Sequence, residues 1–178
     1  MPHLETLIDA ESLASRITTL GRAIRSDHAD TITLIGVLRG AVPFMADLMR
    51  AIDGPVHCEY LSVCSTRGTD STGQVELRQD LAADISGRHC VIVEDIVDTG
   101  LTLDWLLREL RARGPASLRV ASLLDKPSRR LVQVPVDYVG FTVPDAWIVG
   151  YGLDLDGLYR NLPYVAVLHP DANPPPGS

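Results

Sequence analysis

The chain has 178 residues, of which 46% are apolar and 22% charged, with a formal net charge of −7. This composition is typical of a soluble globular protein with a sizeable core and excludes a largely disordered chain. The acidic excess argues against a nucleic-acid-binding face, and no apolar stretch approaches the roughly 20 residues of a membrane span. The N-terminus does not resemble a signal peptide, and three cysteines suit neither a disulfide framework nor a zinc site, so we expect a cytoplasmic protein.

The first half of the chain alternates between helical and strand patterns. Apolar residues recur at helical spacing over 10–26, which predicts an amphipathic helix. Residues 31–38 form an apolar run typical of a buried strand, and a second helix with Pro43 near its start follows. A second strand is predicted over 56–64. The polar, glycine-containing residues 65–73 then predict a mobile loop, followed by a short strand.

The second half repeats this alternation. Residues 89–95 are apolar and end in acids, a pattern typical of a strand buried on both faces. A helix follows, with Arg111 and Arg113 in its last turn before a stop at Gly114-Pro115. Its apolar face comprises Leu103, Leu106, Leu107 and Leu110. Further strands are predicted over 117–125, 136–143, 146–152 and 164–168.

Strands that alternate with helices predict an α/β fold, with a mainly parallel twisted sheet and helices on both faces. We expect a single domain over residues 1–169 and a flexible Pro-rich tail over 170–178. In such sheets ligands bind beyond the carboxyl ends of the strands. Functional side chains should therefore lie directly after strands.

The segment VIVEDIVDTGLTL at 91–103 carries the clearest chemical pattern. Its three carboxylates, Glu94, Asp95 and Asp98, stand at the C-terminal end of a buried strand. The next residues open a helix, whose N-terminal N–H groups suit a phosphate. These residues are Thr99, Gly100, Leu101 and Thr102. Because neighbouring acids suit sugar hydroxyls and a Mg²⁺ ion, the segment indicates a phosphorylated ribose as ligand.

This run resembles the phosphoribosyl-pyrophosphate motif of type I phosphoribosyltransferases. Together with LRG at 38–40, LLDKPSRR at 123–130 and the segment 139–165, it is similar to the hypoxanthine (hypoxanthine-guanine) phosphoribosyltransferases. The resemblance covers roughly residues 30–168. It implies the type I phosphoribosyltransferase fold, with a small hood of extra strands built from the N- and C-terminal parts.

The resemblance also implies an activity. Such enzymes transfer ribose 5-phosphate from phosphoribosyl pyrophosphate to hypoxanthine or guanine in the presence of Mg²⁺ and release pyrophosphate. Glu94 and Asp95 would bind the ribose hydroxyls and the metal, and Asp98 would be the general base or acid at purine N7. The 5-phosphate would be held by the loop of Thr99, Gly100, Leu101 and Thr102, together with Asp98.

The family pattern assigns the purine site to two further segments. Lys126 would donate to the exocyclic oxygen of a 6-oxopurine, and Trp147 would stack on the base. Ile148 would offer backbone groups to the base edge, with Leu153 packing beside it. Asp154 would lie near the base and a second Mg²⁺.

Pyrophosphate would be bound by Arg39, Gly40 and Arg160. In relatives the peptide bond before the basic residue is often cis, so a cis bond is expected between Leu38 and Arg39. The lid loop departs from the family pattern, because Ser65 is followed by Thr66 and Arg67 where relatives carry a tyrosine. Arg67 could bind pyrophosphate instead.

Three alternatives remain open at this stage. A xanthine-preferring transferase would differ in the base pocket around Lys126, Trp147 and Asp154. A nucleotide-sensing, RNA-binding regulator of the same fold tends to replace the general-base aspartate and to carry a basic face, whereas Asp98 is present and this chain is acidic. A silent scaffolding subunit is disfavoured by the intact motif. The resemblance further implies a homodimer or homotetramer, with no nucleic-acid or membrane partner.

Overall fold

The computed structural model describes residues 3–65 and 75–169, with only the backbone at Ser65. The strands are β1 (His3–Ile8), β2 (Ile32–Leu38), β3 (Val56–Ser65), β4 (Val75–Gln79), β5 (His89–Val97), β6 (Ser117–Asp125), β7 (Tyr138–Thr142), β8 (Ile148–Val149) and β9 (Val165–His169). The helices are α1 (Ala10–Asp27), α2 (Val42–Ala51) and α3 (Leu101–Arg111). Most of the loop predicted over 65–73, and the tail predicted over 170–178, lie outside the described residues.

The main sheet has six strands in the order β4-β3-β2-β5-β6-β7. All its strand pairs are parallel except β3 with β4, which is antiparallel at one edge. Parallel neighbours need a crossover between them, and α2 and α3 supply two of these crossovers. The predicted α/β class with a mainly parallel sheet is confirmed.

Helices cover both faces of this sheet, because successive strand residues point to opposite sides. In β2, Leu34 packs with the core beneath α1 and α2, whereas its neighbour Ile35 packs with the core beneath α3. Phe44 of α2 and Leu106 of α3 are fully buried on their respective faces. Each such side chain contributes about 1.5–3 kcal/mol by leaving water.

The first helix forms where its sequence pattern predicts it. Asp9 caps α1 by accepting a hydrogen bond from the backbone N–H of Ser12 at 2.7 Å. Gly21 lets α1 approach α2 closely, since a Cβ at this position would lie 2.5 Å from the carbonyl oxygen of Ala51. This close packing places α1 firmly on the sheet.

A second, three-stranded sheet joins the two ends of the chain in the order β1-β9-β8. Its first strand has no sequence pattern that predicts it, since five of the six residues of β1 are exposed or half-buried and do not alternate. It forms because its backbone pairs with β9, from His3 opposite His169 to Ile8 opposite Val165. Local sequence patterns therefore did not predict this strand, although the family resemblance implied a hood of extra strands from the two ends of the chain.

Two predicted boundaries are wrong. The strand predicted over 146–152 shortens to Ile148–Val149, because Gly150, Tyr151 and Gly152 have φ angles of 96°, 47° and 98°, which no strand accommodates. Helix α3 ends at Arg111, so Arg113 lies beyond its last turn.

Among residues 3–65 and 75–169, none of the helices combines the length and the apolar character that a membrane-spanning helix requires.

Candidate active site

The carboxyl ends of β2, β5 and β6 bring three of the predicted segments to one edge of the sheet. Gly36 of β2 is level with Val93 of β5, and Val97 of β5 is level with Asp125 of β6. The turn after β2, the acids Glu94 and Asp95 at the end of β5 and Lys126 after β6 therefore share this edge. Ligands of open α/β sheets bind at such an edge.

The loop between β5 and α3 has the form of an anion site. Gly100 is the N-cap of α3 with a φ of 86°, and no side chain caps the helix. A Cβ at Gly100 would lie 2.4 Å from the carbonyl oxygen of Val132, so this turn accepts only glycine. A hollow of about 100 Å³ lies at this helix end. Its lining includes Glu94, Asp98, Thr99, Gly100 and Thr102, but not the exposed Leu101.

The acid pair before this loop is desolvated. Burial raises the pKa of Glu94 well above its ordinary value, and the neighbouring Asp95 raises it further. Burial also raises the pKa of Asp95 to about 6, although the backbone N–H of Ile96 and the charge of Arg160 oppose this. Such groups gain from a cation or from hydroxyl donors when a ligand enters.

The turn after β2 packs directly on Asp95. A Cβ at Gly40 would lie 1.5 Å from Oδ2 of Asp95, so a larger residue here would displace the Asp95 carboxylate or the turn. The peptide bond between Leu38 and Arg39 is cis, which confirms that expectation. The predicted pyrophosphate turn and the predicted ribose-binding acids are therefore adjacent.

Asp98 lies where two cavities meet. It lines the hollow at the start of α3 and also a larger cleft of about 450 Å³. Among the described residues no donor forms a hydrogen bond to its shielded Oδ1, although Nε of Arg129 lies 3.2 Å away as an ion pair. A buried carboxylate oxygen without a hydrogen bond is costly unless a ligand supplies one.

The larger cleft contains every residue predicted to contact the purine. Its lining comprises Ile96, Asp98, Lys126, Arg129, Asp145, Ala146, Trp147, Ile148, Leu153 and Asp154. Lys126 is buried, and its Nζ donates to the carbonyl oxygen of Ala146 at 2.9 Å. Trp147 is 68% exposed, which leaves its indole free to cover a flat ligand. A cleft of this size suits a small heterocycle with a few polar contacts.

Arg160 connects the purine side of the site with the turn at Gly40. Its Nη2 lies 2.6 Å from Oδ1 of Asp154, and its Nη1 donates to the carbonyl oxygen of Gly152 at 2.5 Å. Gly152 in turn approaches Gly40, because a Cβ at Gly152 would lie 2.0 Å from the Gly40 carbonyl oxygen. Arg160 therefore lies near the pyrophosphate turn while it pairs with Asp154.

The donor set suits a Mg²⁺ ion that its substrate helps to hold. Among the residues described, no three His, Cys, Asp or Glu side chains are arranged as a metal cage. Asp154 is paired with Arg160, whereas Glu94 and Asp95 are desolvated oxygen donors beside the turn at Gly40. Mg²⁺ is commonly bound by one or two carboxylates together with substrate phosphates and water.

Of the lid-loop residues, Ser65 ends β3, whereas Thr66 and Arg67 lie outside the described residues. The sequence analysis missed four residues that line the larger cleft: Ile96, Arg129, Asp145 and Ala146. Arg129 and Asp145 stand within or beside the segments that carry the family resemblance, so their positions offered a signal. Ile96 also stands within the motif at 91–103, but its residue type gave no signal, because an apolar residue near a strand end is common.

Comparison with known proteins agrees with this geometry. The phosphoribosyl transferase domain family matches residues 3–156. The chain is 45% identical over 168 residues to the hypoxanthine-guanine phosphoribosyltransferase of Bacillus subtilis, a match that covers 93% of each chain. It is 48% identical over 172 residues to that of Mycobacterium avium, covering 92% of this chain and 85% of the relative.

A crystal structure of a hypoxanthine-guanine phosphoribosyltransferase from Bacillus anthracis has the same fold. The two superpose with a TM-score of 0.87 at 42% identity, over 92% of this chain and 97% of the other. The chain therefore belongs to the phosphoribosyltransferase family, within its hypoxanthine-guanine branch.

Proposed function

We propose that this protein is a purine-salvage enzyme. It transfers the 5-phosphoribosyl group from phosphoribosyl pyrophosphate to hypoxanthine, and also to guanine, giving the nucleoside monophosphate and pyrophosphate. The observation that carries the proposal is the position of Asp98, which lines both the hollow at the start of α3 and the purine-sized cleft. The group that exchanges a proton with the base then lies between the 5-phosphate and the purine.

In the proposed reaction a purine ring nitrogen forms a bond to C1 of the ribose. The bond from C1 to the pyrophosphate oxygen breaks, and its electron pair leaves with pyrophosphate. Asp98 accepts the proton that the purine loses at N7, a task suited to a positioned carboxylate. Thr99, Gly100, Leu101 and Thr102 hold the 5-phosphate at the N-terminus of α3.

The two ends of the donor would be held by separate groups. Glu94 and Asp95 bind the ribose hydroxyls, and they and Asp154 are the proposed Mg²⁺ ligands. When bound, Mg²⁺ supplies charge neutralisation on pyrophosphate. Arg39, Gly40 and Arg160 would bind the pyrophosphate oxygens. The closeness of Gly40 to Asp95 and the ion pair of Arg160 with Asp154 support this division.

Base recognition would depend on the cleft. Lys126 donates to the exocyclic oxygen at purine position 6, which favours 6-oxopurines over adenine, since adenine offers an amino group there. Trp147 stacks on the ring, while Ile148 and Leu153 form the apolar floor. The lid segment of Ser65, Thr66 and Arg67 would close over the donor.

The test supplies purified protein with Mg²⁺, phosphoribosyl pyrophosphate and one base at a time: hypoxanthine, guanine, xanthine or adenine. We expect nucleotide from hypoxanthine and guanine but not from adenine. A marked preference for xanthine would favour the xanthine-specific alternative. No product with any base, alongside intact donor binding, would contradict the proposal and favour a nucleotide-sensing regulator.

We also propose that residues 1–169 act as one domain, in a homodimer or homotetramer in the cytoplasm. Light scattering coupled to size-exclusion chromatography measures the assembly directly. A monomer at the assay concentration would contradict the oligomer proposal without affecting the catalytic one.

A further inference from the structure

Arg130 is a buried cation that none of the proposed catalytic steps uses. Its side chain is 8% exposed and forms an ion pair with Asp125, whose side chain is 18% exposed. Its Nη2 also donates to the carbonyl oxygen of Val97 at 3.4 Å. Its Nη1 is shielded from solvent and has no hydrogen-bond partner among the described residues.

Both partners of Arg130 directly precede a residue proposed to contact the purine. Val97 ends β5 and is followed by Asp98, and Asp125 ends β6 and is followed by Lys126. The two strand ends are level with each other in the sheet. The Val97 carbonyl oxygen also accepts a hydrogen bond from the backbone N–H of Lys126 at 3.0 Å. One guanidinium therefore bridges the strand end before the proposed proton acceptor and the strand end before the purine-reading lysine.

The stem of Arg130 and the residues after it lie under the phosphate loop. A Cβ at Gly100 would lie 3.1 Å from Cδ of Arg130. The carbonyl oxygen of Thr99 accepts hydrogen bonds from the backbone N–H groups of Leu131 at 2.9 Å and Val132 at 3.1 Å. The segment that carries Arg130 thus supports the loop on which Asp98 and the proposed 5-phosphate ligands lie.

Stability alone does not explain a charge pair in this position. Replacing a buried ion pair by apolar side chains of similar volume is often neutral or stabilising, because both charges lose their hydration on burial. Nη2 of the Arg130 guanidinium, however, contacts both Asp125 and the carbonyl oxygen of Val97, which an apolar side chain cannot do. The arrangement is therefore better explained by geometry than by stability.

We propose that Arg130, paired with Asp125, is a positioning residue that sets the distance between the phosphate loop and the purine-reading Lys126. This role rests on the proposed function, since it concerns how the donor and the base are aligned. Arg130 touches neither substrate. Removal of Arg130 shifts the phosphate loop relative to Lys126. The apparent affinities for phosphoribosyl pyrophosphate and for hypoxanthine therefore both fall, and turnover falls with them.

The decisive variant removes both charges at once, as Asp125→Asn with Arg130→Met, because removing one partner would leave the other buried and unpaired. We expect KM for each substrate to rise about tenfold and kcat/KM for hypoxanthine to fall about 100-fold, as for a misplacement near 1 Å. The melting temperature should stay close to that of the wild type. Inosine monophosphate (IMP) is the nucleotide formed from hypoxanthine, and its binding can be measured by the quenching of tryptophan fluorescence because Trp147 lines the cleft. IMP binding should weaken in parallel.

The matched control is Asp27→Asn with Arg119→Met. It removes an ion pair that involves the same strand, β6, at the opposite edge of the sheet. A purely structural effect would lower the active fraction without changing KM, and we expect the control to do no more than this. Arg130→Lys should fall between the wild type and the double variant, because an ammonium group can pair with Asp125 but its flexible stem lacks the rigid guanidinium that holds Nη2 against both acceptors.

Wild-type KM values and wild-type IMP binding in a folded double variant would overturn the positioning role. If the double variant does not fold, Arg130→Lys decides: KM values raised for both substrates support the role, and unchanged values overturn it. Failure of the proposed function gives a different result, because the wild-type protein itself would then form no nucleotide.

Discussion

The main sheet has an amino edge, where its parallel strands begin, and a carboxyl edge, where they end. Charged groups differ in environment between these two edges. At the amino edge, Asp27 accepts hydrogen bonds from the hydroxyl of Tyr138 at 2.8 Å and from Arg119, and this cluster is partly exposed. At the carboxyl edge, Glu94 and Asp95 are buried and their pKa values are raised. In the described part of the chain, the two shielded polar side-chain atoms without a hydrogen bond, on Asp98 and Arg130, also lie at the carboxyl edge.

The difference shows which edge is prepared for a ligand. Charges at the amino edge are satisfied within the protein and lower the free energy of the fold. At the carboxyl edge, the burial of Glu94 and Asp95 and the shielded Asp98 oxygen without a hydrogen bond are costs that a bound ligand can offset. Substitutions at the carboxyl edge should therefore change kinetics, whereas those at the amino edge should change stability.

Asp98→Asn should have the largest effect. The amide keeps the shape of the side chain but cannot accept the purine proton, so kcat should fall about 1,000-fold, within the range for general acid–base catalysis. KM for phosphoribosyl pyrophosphate should change little. Steady-state assays with hypoxanthine measure both values. The exposed Glu109→Gln on α3 is the control, and an Asp98→Asn enzyme with normal turnover would contradict the proposed role.

Lys126→Ala should mainly impair use of the base. Loss of the buried Nζ leaves the exocyclic oxygen without its donor, so kcat/KM for hypoxanthine should fall about 100-fold. KM for phosphoribosyl pyrophosphate should stay within about threefold of the wild type, because Lys126 lines only the purine cleft. Equal losses for both substrates would show that Lys126 supports the whole edge rather than reading the base.

Gly40→Ala tests the contact between the turn after β2 and Asp95. The added Cβ cannot fit 1.5 Å from Oδ2 of Asp95, so the Asp95 carboxylate or the turn must move. KM for phosphoribosyl pyrophosphate should rise about tenfold. The comparison variant is Gly87→Ala near the amino edge, where a Cβ meets nothing within 4 Å but the φ of 69° is left-handed.

Gly87→Ala should therefore cost about 1 kcal/mol of stability with no change in KM. Thermal unfolding and steady-state kinetics on both glycine variants give the contrast directly. A wild-type KM for phosphoribosyl pyrophosphate in the Gly40→Ala enzyme would show that this turn does not contribute to donor binding.

Asp27→Asn should have the smallest effect, confined to stability. Hydrogen bonds from Tyr138 and Arg119 lower the pKa of Asp27 below its ordinary value. A carboxylate with a lowered native pKa stabilises the fold above its unfolded-state pKa, and this contribution disappears as the pH falls through the native pKa. The wild type should therefore melt above the variant at pH 7, and the gap should close in acid.

Thermal unfolding of both proteins as a function of pH measures this gap. KM values should be unchanged at neutral pH. A gap that widens on acidification, or a kinetic effect, would contradict the division between the two edges.

Much of the site was predictable from local sequence because its central part is contiguous. Glu94, Asp95, Asp98 and the phosphate loop stand within one short segment after a strong strand pattern, so strand end, loop and helix start follow from neighbouring residues. The α/β class followed equally from the alternation of strand and helix patterns. The purine segments were found by resemblance, and their roles remain predictions.

Other features were decided by tertiary structure alone. The pairing of β1 with β9, the contact of Gly40 with Asp95 and the bridge from Arg130 to Val97 join residues far apart in the chain. Local patterns carry no information about such partners, because which residues meet is set by strand order and register. The sequence by itself thus determined the chemical groups of this protein and the strand ends that carry them, whereas the fold decided their distances and their burial.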